Sequence, residues 1–282
     1  IDLGHGMDGT QAAEAILATV DIPIVFVSSH TEPEVVGKTE KITSYGYVVK
    51  NTGIVVLDAS IKMALKLFRE KVDRKRAQKL QLLSTAILGV LNQPLTLREA
   101  TRSIIGLIKQ ETDIDAVGIR LKDGEDYPYF CEDGLGEDFL LAENSVVLRN
   151  DNGVVCKGPD GFPCLECTCG LVLAEKAGPP GDHVTPAGSI WTNDSLATLE
   201  ELHADDPRLK PRDRCSHDGF QSVALIPIRI DHRVVGLLHL NDRRKDRFTP
   251  ETIHFFEELT ATFAIAAKRK QTESAPPGDL RT

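Results

Sequence analysis

Three cysteines lie close together in the chain and form its densest group of reactive side chains. They are Cys164, Cys167 and Cys169, and Cys215 follows further along the sequence. A gap of two residues between cysteines lets both sulfurs of a turn reach one metal ion, and soft thiolates suit zinc or an iron–sulfur centre. A strong zinc signature has two such pairs, whereas this chain has one. The pattern therefore predicts a metal site from half of the usual zinc signature.

The same thiols support two further interpretations. A reducing cytosol disfavours a permanent disulfide framework, but a reversible redox switch needs only an acidic thiol and a nearby resolving thiol. The third interpretation is a set of inert thiols packed in a loop. Two other side chains of this half, Trp191 and His239, are candidates for lining a ligand pocket, although each is also typical of a protein core.

A second chemical pattern lies near the start of the chain, where polar side chains follow two short apolar runs. Ile24 to Val27 is followed by Ser28, and Tyr47 to Val49 is followed by Lys50. Continuous β-branched runs are typical of buried strands in a parallel sheet, which binds ligands at the carboxyl ends of its strands. A hydroxyl and an ammonium group at that edge predict a site for a phosphoryl or carboxylate group.

Composition limits the classes of function. The 282 residues predict about two domains, and the hydrophobic share of 41% is enough for real cores. A net charge of −9 argues against general nucleic-acid binding, which needs a surplus of Lys and Arg. No apolar run approaches the roughly 20 residues that cross a bilayer, so we expect a cytoplasmic protein without a membrane span.

The N-terminal part alternates between strand and helix patterns, which indicates a doubly wound α/β sheet. Helices are expected from Thr10 to Ala18 and from roughly Glu32 to Ser44. With Met7-Asp8-Gly9, Ser28, Tyr47 and Lys50 in register, residues 1–70 resemble the C-terminal half of a response-regulator receiver domain.

This resemblance implies a phosphorylation switch. Ser28 and Lys50 would contact the phosphoryl group, and Tyr47 would report its presence. The phosphoacceptor Asp is expected just before Ile1, although a competing alignment makes Asp2 the acceptor. The carboxylates that bind magnesium in an intact receiver would belong to the missing first half. Asn51 stands where the family usually has Pro.

A long helical pattern, from Val55 to about Asn92, joins the two halves, with residues 71–93 expected as a helical linker. Ile61, Leu65, Phe68 and Val72 repeat at helical spacing, and a charge-rich stretch from Arg69 to Arg76 follows. Two interpretations are open: a signalling helix that pairs with its twin in a homodimer, or a solvated linker.

The C-terminal half, residues 94–270, has an α+β pattern followed by a polar tail, 271–282, that we expect to be disordered. Thr96 and Glu99 form a capping box that starts a helix. Strands are expected at Ala116–Leu121, Tyr127–Cys131, Ser222–Ile230 and Val234–Leu240, and a last helix from Thr249-Pro250 through Lys270. The segments Ser222 to Ile228 and Val235 to Asp242 resemble those of a GAF sensor domain.

Together the two resemblances predict a two-component phosphorelay protein. Its receiver would accept a phosphoryl group from a partner histidine kinase and be coupled through the helix to a GAF domain that senses a small molecule, a metal or redox state. Alternatives are a metal or thiol-redox sensor module, or the N-terminal part of a hybrid histidine kinase. The sequence has no kinase catalytic region, so we do not expect this chain to be an enzyme.

Overall fold

The computed structural model describes residues 7–29, 45–197 and 214–274, together with Gly37, Thr39 and Ile42. The chain divides into two compact units, Ile1–Leu80 and Gln81–Thr282. Apart from Gly37, Thr39 and Ile42, the helix expected from Glu32 to Ser44 lies outside the described residues, as does the competing acceptor Asp2. No described helix is both long enough and apolar enough to cross a membrane.

The N-terminal unit contains one helix and two parallel strands before the long helix. Helix α1 is Gly9–Leu17, strand β1 is Val25–Ser28 and strand β2 is Gly46–Val49. Asp8 caps α1: its carboxylate accepts from the backbone N–H groups of Thr10 and Gln11, and Gln11 completes the capping box. Strands β1 and β2 pair in parallel, as predicted, and Ser28 lies opposite Val49.

The predicted long helix is confirmed as α2, Ile54–Leu91. The repeating apolar stripe on its first half is partly used inside the N-terminal unit, because Phe68 packs edge-on against Tyr45 with ring centroids 5.7 Å apart. The charged middle of α2, residues 73–79, is exposed. Its last turns carry Leu83, Ile87 and Leu91, which are buried in the core of the C-terminal unit.

The C-terminal unit is an antiparallel sheet with helices on both faces, which confirms the predicted α+β class. Its elements are α3 Leu97–Thr112, β3 Ala116–Leu121, β4 Tyr129–Asp133, α4 Glu137–Glu143, α5 Cys167–Leu173, β5 Ile190–Thr192, α6 Arg214–His217, β6 Ser222–Ile230, β7 Arg233–Asp242 and α7 Pro250–Ser274. The sheet order is β4-β3-β7-β6-β5.

Each face of this sheet has its own core, because alternate residues of a strand point to opposite sides. One face packs against α2, α3 and α7 through apolar side chains such as Ile119, Ile226 and Leu238. The other face lies under α4, α5 and α6 and includes Leu225 and Leu237.

Most predicted elements of this unit occur, although several boundaries differ, and the strand expected at Val234–Leu240 extends over Arg233–Asp242. The expected strand from Tyr127 begins two residues later, since Tyr127 and Pro128 lie in the hairpin connection. The last helix begins at Pro250 as predicted but continues to Ser274, so residues 271–274 are helical rather than part of a disordered tail. The rest of that tail lies outside the described residues.

Candidate functional site

The second face of the sheet carries a row of buried polar side chains. Arg120 on β3 and His239 and Asn241 on β7 are each at most 1% exposed. Arg120 is directly opposite Leu237 in the sheet register, and His239 and Asn241 lie two and four residues beyond Leu237 on β7. All three are therefore on the face whose core lies under α4, α5 and α6. Buried polar groups are costly unless they find partners, so this row marks the chemically distinctive part of the domain.

His239 lies at the centre of the row, with a side chain next to each ring nitrogen. The hydroxyl of Tyr129 lies 2.8 Å from Nδ1, and the Sγ of Cys215 lies 3.6 Å from Nε2. Burial, together with the nearby charge of Arg120, lowers the pKa of His239 from its ordinary 6.5 to about 3. The imidazole is therefore neutral at physiological pH, so one of its two ring nitrogens is a hydrogen-bond acceptor and the other is a donor.

Arg120 supplies a permanent buried positive charge. Its guanidinium donates to the backbone carbonyls of Tyr127 and Asn144, both at 2.9 Å, and also to that of Glu143. It lies over the ring of Tyr129, 3.7 Å from the centroid. Its Nε has no hydrogen-bond partner among the residues that the structure describes. A guanidinium held this way leaves part of its charge available to stabilise an anion on the same face.

Three buried thiols share this environment. Cys167 and Cys169 lie at the start of α5, and Cys215 lies in α6. The pKa of Cys167 is lowered because its sulfur accepts hydrogen bonds from the Cys169 thiol and from backbone N–H groups, which outweighs burial. The pKa of Cys169 is raised well above its ordinary value because its thiol is the donor in that contact and is buried. Burial, with Cys167 nearby, raises the pKa of Cys215.

Cys167 also has an unusual backbone. Its φ angle is +63°, a left-handed conformation that residues other than glycine rarely adopt. Such conformations cost free energy and persist where the surrounding structure fixes them, often at functional sites. The fold thus holds the most acidic of the three buried thiols in a strained position.

The structure brings together four of the residues singled out from the sequence and separates two. Cys167, Cys169, Cys215 and His239 share the second face. Cys164 is half-buried in the segment that precedes α5, and Trp191 packs against the core on the opposite face of the sheet. Trp191 and His239 therefore do not line one pocket.

No group of three or more His, Cys, Asp or Glu side chains in the described part of the chain is arranged to hold a metal ion. The zinc or iron–sulfur centre expected at Cys164, Cys167, Cys169 and Cys215 stays a prediction.

Sequence reasoning missed Arg120 and Tyr129. The signal for Arg120 was a single charge inside the apolar strand Ala116–Leu121, which indicates a buried and therefore paired group. Tyr129 also lines an open pocket of about 690 Å³ that includes Arg98, Arg102 and Asn144. This aromatic side chain thus borders the pocket and contacts the ring of His239 through its hydroxyl.

In the N-terminal unit, Ser28 and Lys50 lie at the same end of the two parallel strands. The backbone N–H of Lys50 donates to the carbonyl of Ser28 at 2.8 Å. Ser28 is buried and Lys50 is exposed, while Tyr47 is half-buried beside the small core of Ala13 and Phe26. Their adjacency is the one predicted from the sequence; what they bind stays a prediction.

Comparisons with known proteins identify the C-terminal unit. The GAF domain family matches residues 96–267. Among solved structures, the GAF domain of a phosphoenolpyruvate-protein phosphotransferase from Coxiella burnetii aligns with a TM-score of 0.50 at 15% identity, over 70% of this chain and 97% of that one. No curated protein matches the chain.

Two further structures are similar at lower scores. Free methionine-R-sulfoxide reductase from Neisseria meningitidis aligns at 12% identity over 69% of this chain and 89% of its own, with a TM-score of 0.44. A domain of a Sinorhizobium meliloti protein named as a two-component sensor histidine kinase aligns at 14% identity over 62% and 93%, with a TM-score of 0.40. At these identities the likenesses concern the fold alone. By the family match across most of its length, the chain belongs to the GAF domain family.

Proposed function

We propose that this chain is the sensory part of a signalling protein and that its GAF domain senses redox state through Cys167, Cys169 and Cys215. The observation that carries the proposal is the contact of Cys215 with the neutral imidazole of His239, on the same buried face as the Cys167–Cys169 pair. Thiols become reactive as thiolates, and a lowered pKa in electropositive surroundings is typical of redox-sensing cysteines. Because Cys167 is buried, its oxidation requires local opening of the structure.

The residues divide into three roles. Cys167, whose pKa is lowered, is the thiol that reacts. Arg120 favours its thiolate electrostatically from the same face. Cys169 or Cys215 is the resolving thiol, since both lie close enough to Cys167 to influence its ionisation or be influenced by it.

The reaction balances with hydrogen peroxide as oxidant. The Cys167 thiolate attacks one peroxide oxygen, the O–O bond breaks, and the leaving oxygen departs as water after taking a proton. The resulting sulfenic acid condenses with the resolving thiol, which forms the S–S bond and releases a second water. A dithiol reductant restores both thiols.

Peptide mapping after brief treatment with hydrogen peroxide tests this proposal. Cleavage after Glu166 and Glu175 yields a peptide with only Cys167 and Cys169, and cleavage after Arg214 places Cys215 on another. We expect loss of two hydrogens within the first peptide, or a cross-link between the two, reversed by dithiothreitol. Cys167→Ser should abolish either product.

Cys131→Ser is the matched control, because Cys131 is equally buried but belongs to the core on the other face. This variant should leave the oxidation of Cys167, Cys169 and Cys215 unchanged. The proposal is wrong if Cys167, Cys169 and Cys215 stay reduced while the protein remains folded. Stoichiometric zinc or iron that is lost in Cys167→Ser would favour the predicted metal centre instead.

A receiver function for residues 1–70 is the second candidate, and the Lys50–Ser28 backbone contact at one edge of two parallel strands favours it. In this proposal a partner histidine kinase supplies the phosphoryl group, magnesium assists in an intact receiver, and the protein works as a homodimer. Ser28 and Lys50 contact the phosphoryl oxygens by hydrogen bonding and charge.

Acetyl phosphate labelling of the full-length protein tests the role of Lys50. Lys50→Ala should change both labelling and dephosphorylation, because the variant lacks the ammonium that pairs with the phosphoryl group. Lys62→Ala is the control, since Lys62 is an exposed lysine that pairs with Asp58 on α2. Unchanged labelling and dephosphorylation of Lys50→Ala would exclude the assigned role.

A further inference from the structure

The segment between α4 and α5 contains a β-hairpin that places two cysteines opposite each other. Lys157 and Pro163 form an antiparallel bridge, flanked by the hydrogen bonds from Gly158 N–H to Phe162 O at 2.9 Å and from Cys164 N–H to Cys156 O at 2.8 Å. In this register Cys156 is directly opposite Cys164. Side chains of directly opposed residues project from the same face of a hairpin.

The spacing of such a pair suits a disulfide. Cys156 and Cys164 share one of the two hydrogen bonds that an opposed pair can exchange, and opposed residues of antiparallel strands have Cα atoms about 4.5–5.5 Å apart. Disulfides usually join Cα atoms that are about 4.4–6.8 Å apart. The bond therefore requires side-chain rotation rather than a new backbone path.

The surroundings hold this register in place. The N–H of Cys156 donates to the carbonyl of Leu148 at 2.9 Å, and the N–H of Leu148 donates to the carbonyl of Cys164 at 2.8 Å. Three chain segments are thus tied together at the two cysteines. Both are free thiols and half-buried, unlike the other four cysteines, which are buried.

We propose that Cys156 and Cys164 are a redox modification site that forms a reversible cross-strand disulfide with low-molecular-weight disulfides as the oxidant. The oxidised bond locks the hairpin that precedes α5. This site goes beyond the proposed sensing by Cys167, Cys169 and Cys215 and does not depend on it.

The exchange needs no other reactant. The thiolate of one cysteine attacks a sulfur of the small disulfide, which breaks its S–S bond and releases one small thiol. The second cysteine, after losing its proton, attacks the mixed disulfide and releases the second small thiol. Two protein thiols are oxidised and one small disulfide is reduced to two thiols.

Equilibration of the native chain in oxidised and reduced glutathione, followed by acid quenching and double digestion, tests the pairing. Cleavage after Lys157 separates the two cysteines, and cleavage after Glu166 removes Cys167 and Cys169 from the Cys164 peptide. The peptides that carry Cys156 and Cys164 should then stay joined until reduction, in about half or more of the molecules under excess oxidised glutathione.

Three serine variants give the controls. Cys156→Ser or Cys164→Ser should abolish this cross-link and leave the remaining partner open to alkylation. Cys215→Ser alters the proposed sensing face but should leave the cross-link unchanged. Amide exchange at Gly158 and Cys164, whose N–H groups bond across the hairpin, should slow by about tenfold or more on oxidation.

The proposal is overturned if the two peptides separate without reduction at every glutathione ratio, or if Cys156 cross-links to another cysteine instead. An intact Cys156–Cys164 cross-link with no oxidation among Cys167, Cys169 and Cys215 would refute the proposed sensing face while supporting this site.

Discussion

The Nε2 of His239 lies 3.6 Å from the Sγ of Cys215, which sets a neutral imidazole against a buried thiol. The two residues come from different elements, β7 and α6, so the contact depends on the tertiary fold. The other ring nitrogen faces the hydroxyl of Tyr129. Protonation of the ring would place a second positive charge near the guanidinium of Arg120, which disfavours the protonated form.

The buried histidine should make stability depend on pH. The unfolded chain binds a proton at His239 below its ordinary pKa of 6.5, whereas the folded chain does so only near 3. The stability of the folded state is thus unaffected by this ring above pH 6.5, and it decreases as the pH falls from 6.5 toward 3 because the unfolded chain gains the proton first. Between pH 6.5 and 5.5, the free energy of unfolding should fall by about 1 kcal/mol more than in His239→Gln.

Urea unfolding followed by the fluorescence of Trp191, the single tryptophan, measures this difference. His254→Gln is the control, since the side chain of His254 is 72% exposed. Equal pH slopes for the wild-type protein and His239→Gln would contradict the assigned neutral state of the ring.

Asp242 should be a major stabilising residue, because its fully buried side chain pairs with two arginines. Arg244 Nη2 lies 2.8 Å and Arg247 Nε lies 2.9 Å from Oδ2 of Asp242. Burial raises the pKa of this carboxyl, but the hydrogen bonds to the two arginines lower it by a larger amount. The net pKa is therefore lowered, and the carboxyl is charged. Asp242→Asn should cost about 2 kcal/mol, at the low end for buried pairs because both arginines are partly solvated.

Thermal unfolding of Asp242→Asn measures that loss. Asp231→Asn, which removes a surface pairing with Lys268, should change the midpoint far less. Similar shifts in the two variants would show that Asp242 is not specially stabilised.

The cap of α3 should contribute measurably to stability. The Thr96 hydroxyl accepts from the N–H of Glu99 at 3.3 Å, and the Glu99 carboxylate accepts from the N–H of Thr96 at 2.9 Å. Thr96→Ala should lower the free energy of unfolding by about 1 kcal/mol. Thr96→Ser keeps the hydroxyl and should stay close to wild type in the same urea titration. A full loss in Thr96→Ser would rule out capping as the cause.

The six thiols should fall into two kinetic classes. Cys156 and Cys164 are half-buried, while Cys131, Cys167, Cys169 and Cys215 are at most 9% exposed. An aromatic disulfide reagent should therefore modify two thiols at least about tenfold faster than the other four, which need local opening. Peptide mapping of the fast fraction identifies them. Uniform rates for all six would contradict the described burial.

The elements of the C-terminal unit were largely predictable because their sequence patterns are local. Strands Ala116–Leu121 and Ser222–Ile230 have the predicted bounds, since continuous apolar runs end at charged or turn residues. The cap at Thr96 followed from the spacing of two residues. The Tyr129 strand was displaced because the turn before it, with Pro128, consumes two residues of apparent strand pattern.

The site was predictable only in part, since it depends on contacts between distant residues. The proximity of Cys167 and Cys169 follows from their spacing, but their association with His239 requires α5 and α6 to pack on one face of β7. Trp191 has the residue type expected of a pocket, and only the strand register places it on the opposite face. Arg120 was overlooked because an apolar strand pattern tolerates one such exception.

The alternation of side chains along β3, β6 and β7 gives the sheet two faces that can be changed by substitution separately. Val117, Ala224 and Leu240 maintain the packing of the long helices, while Arg120 and His239 face the thiols. Substitutions at odd and even positions of one strand therefore act on different properties. Such a sheet can acquire a new chemical specificity on one side during evolution while its folding determinants on the other side stay unaltered.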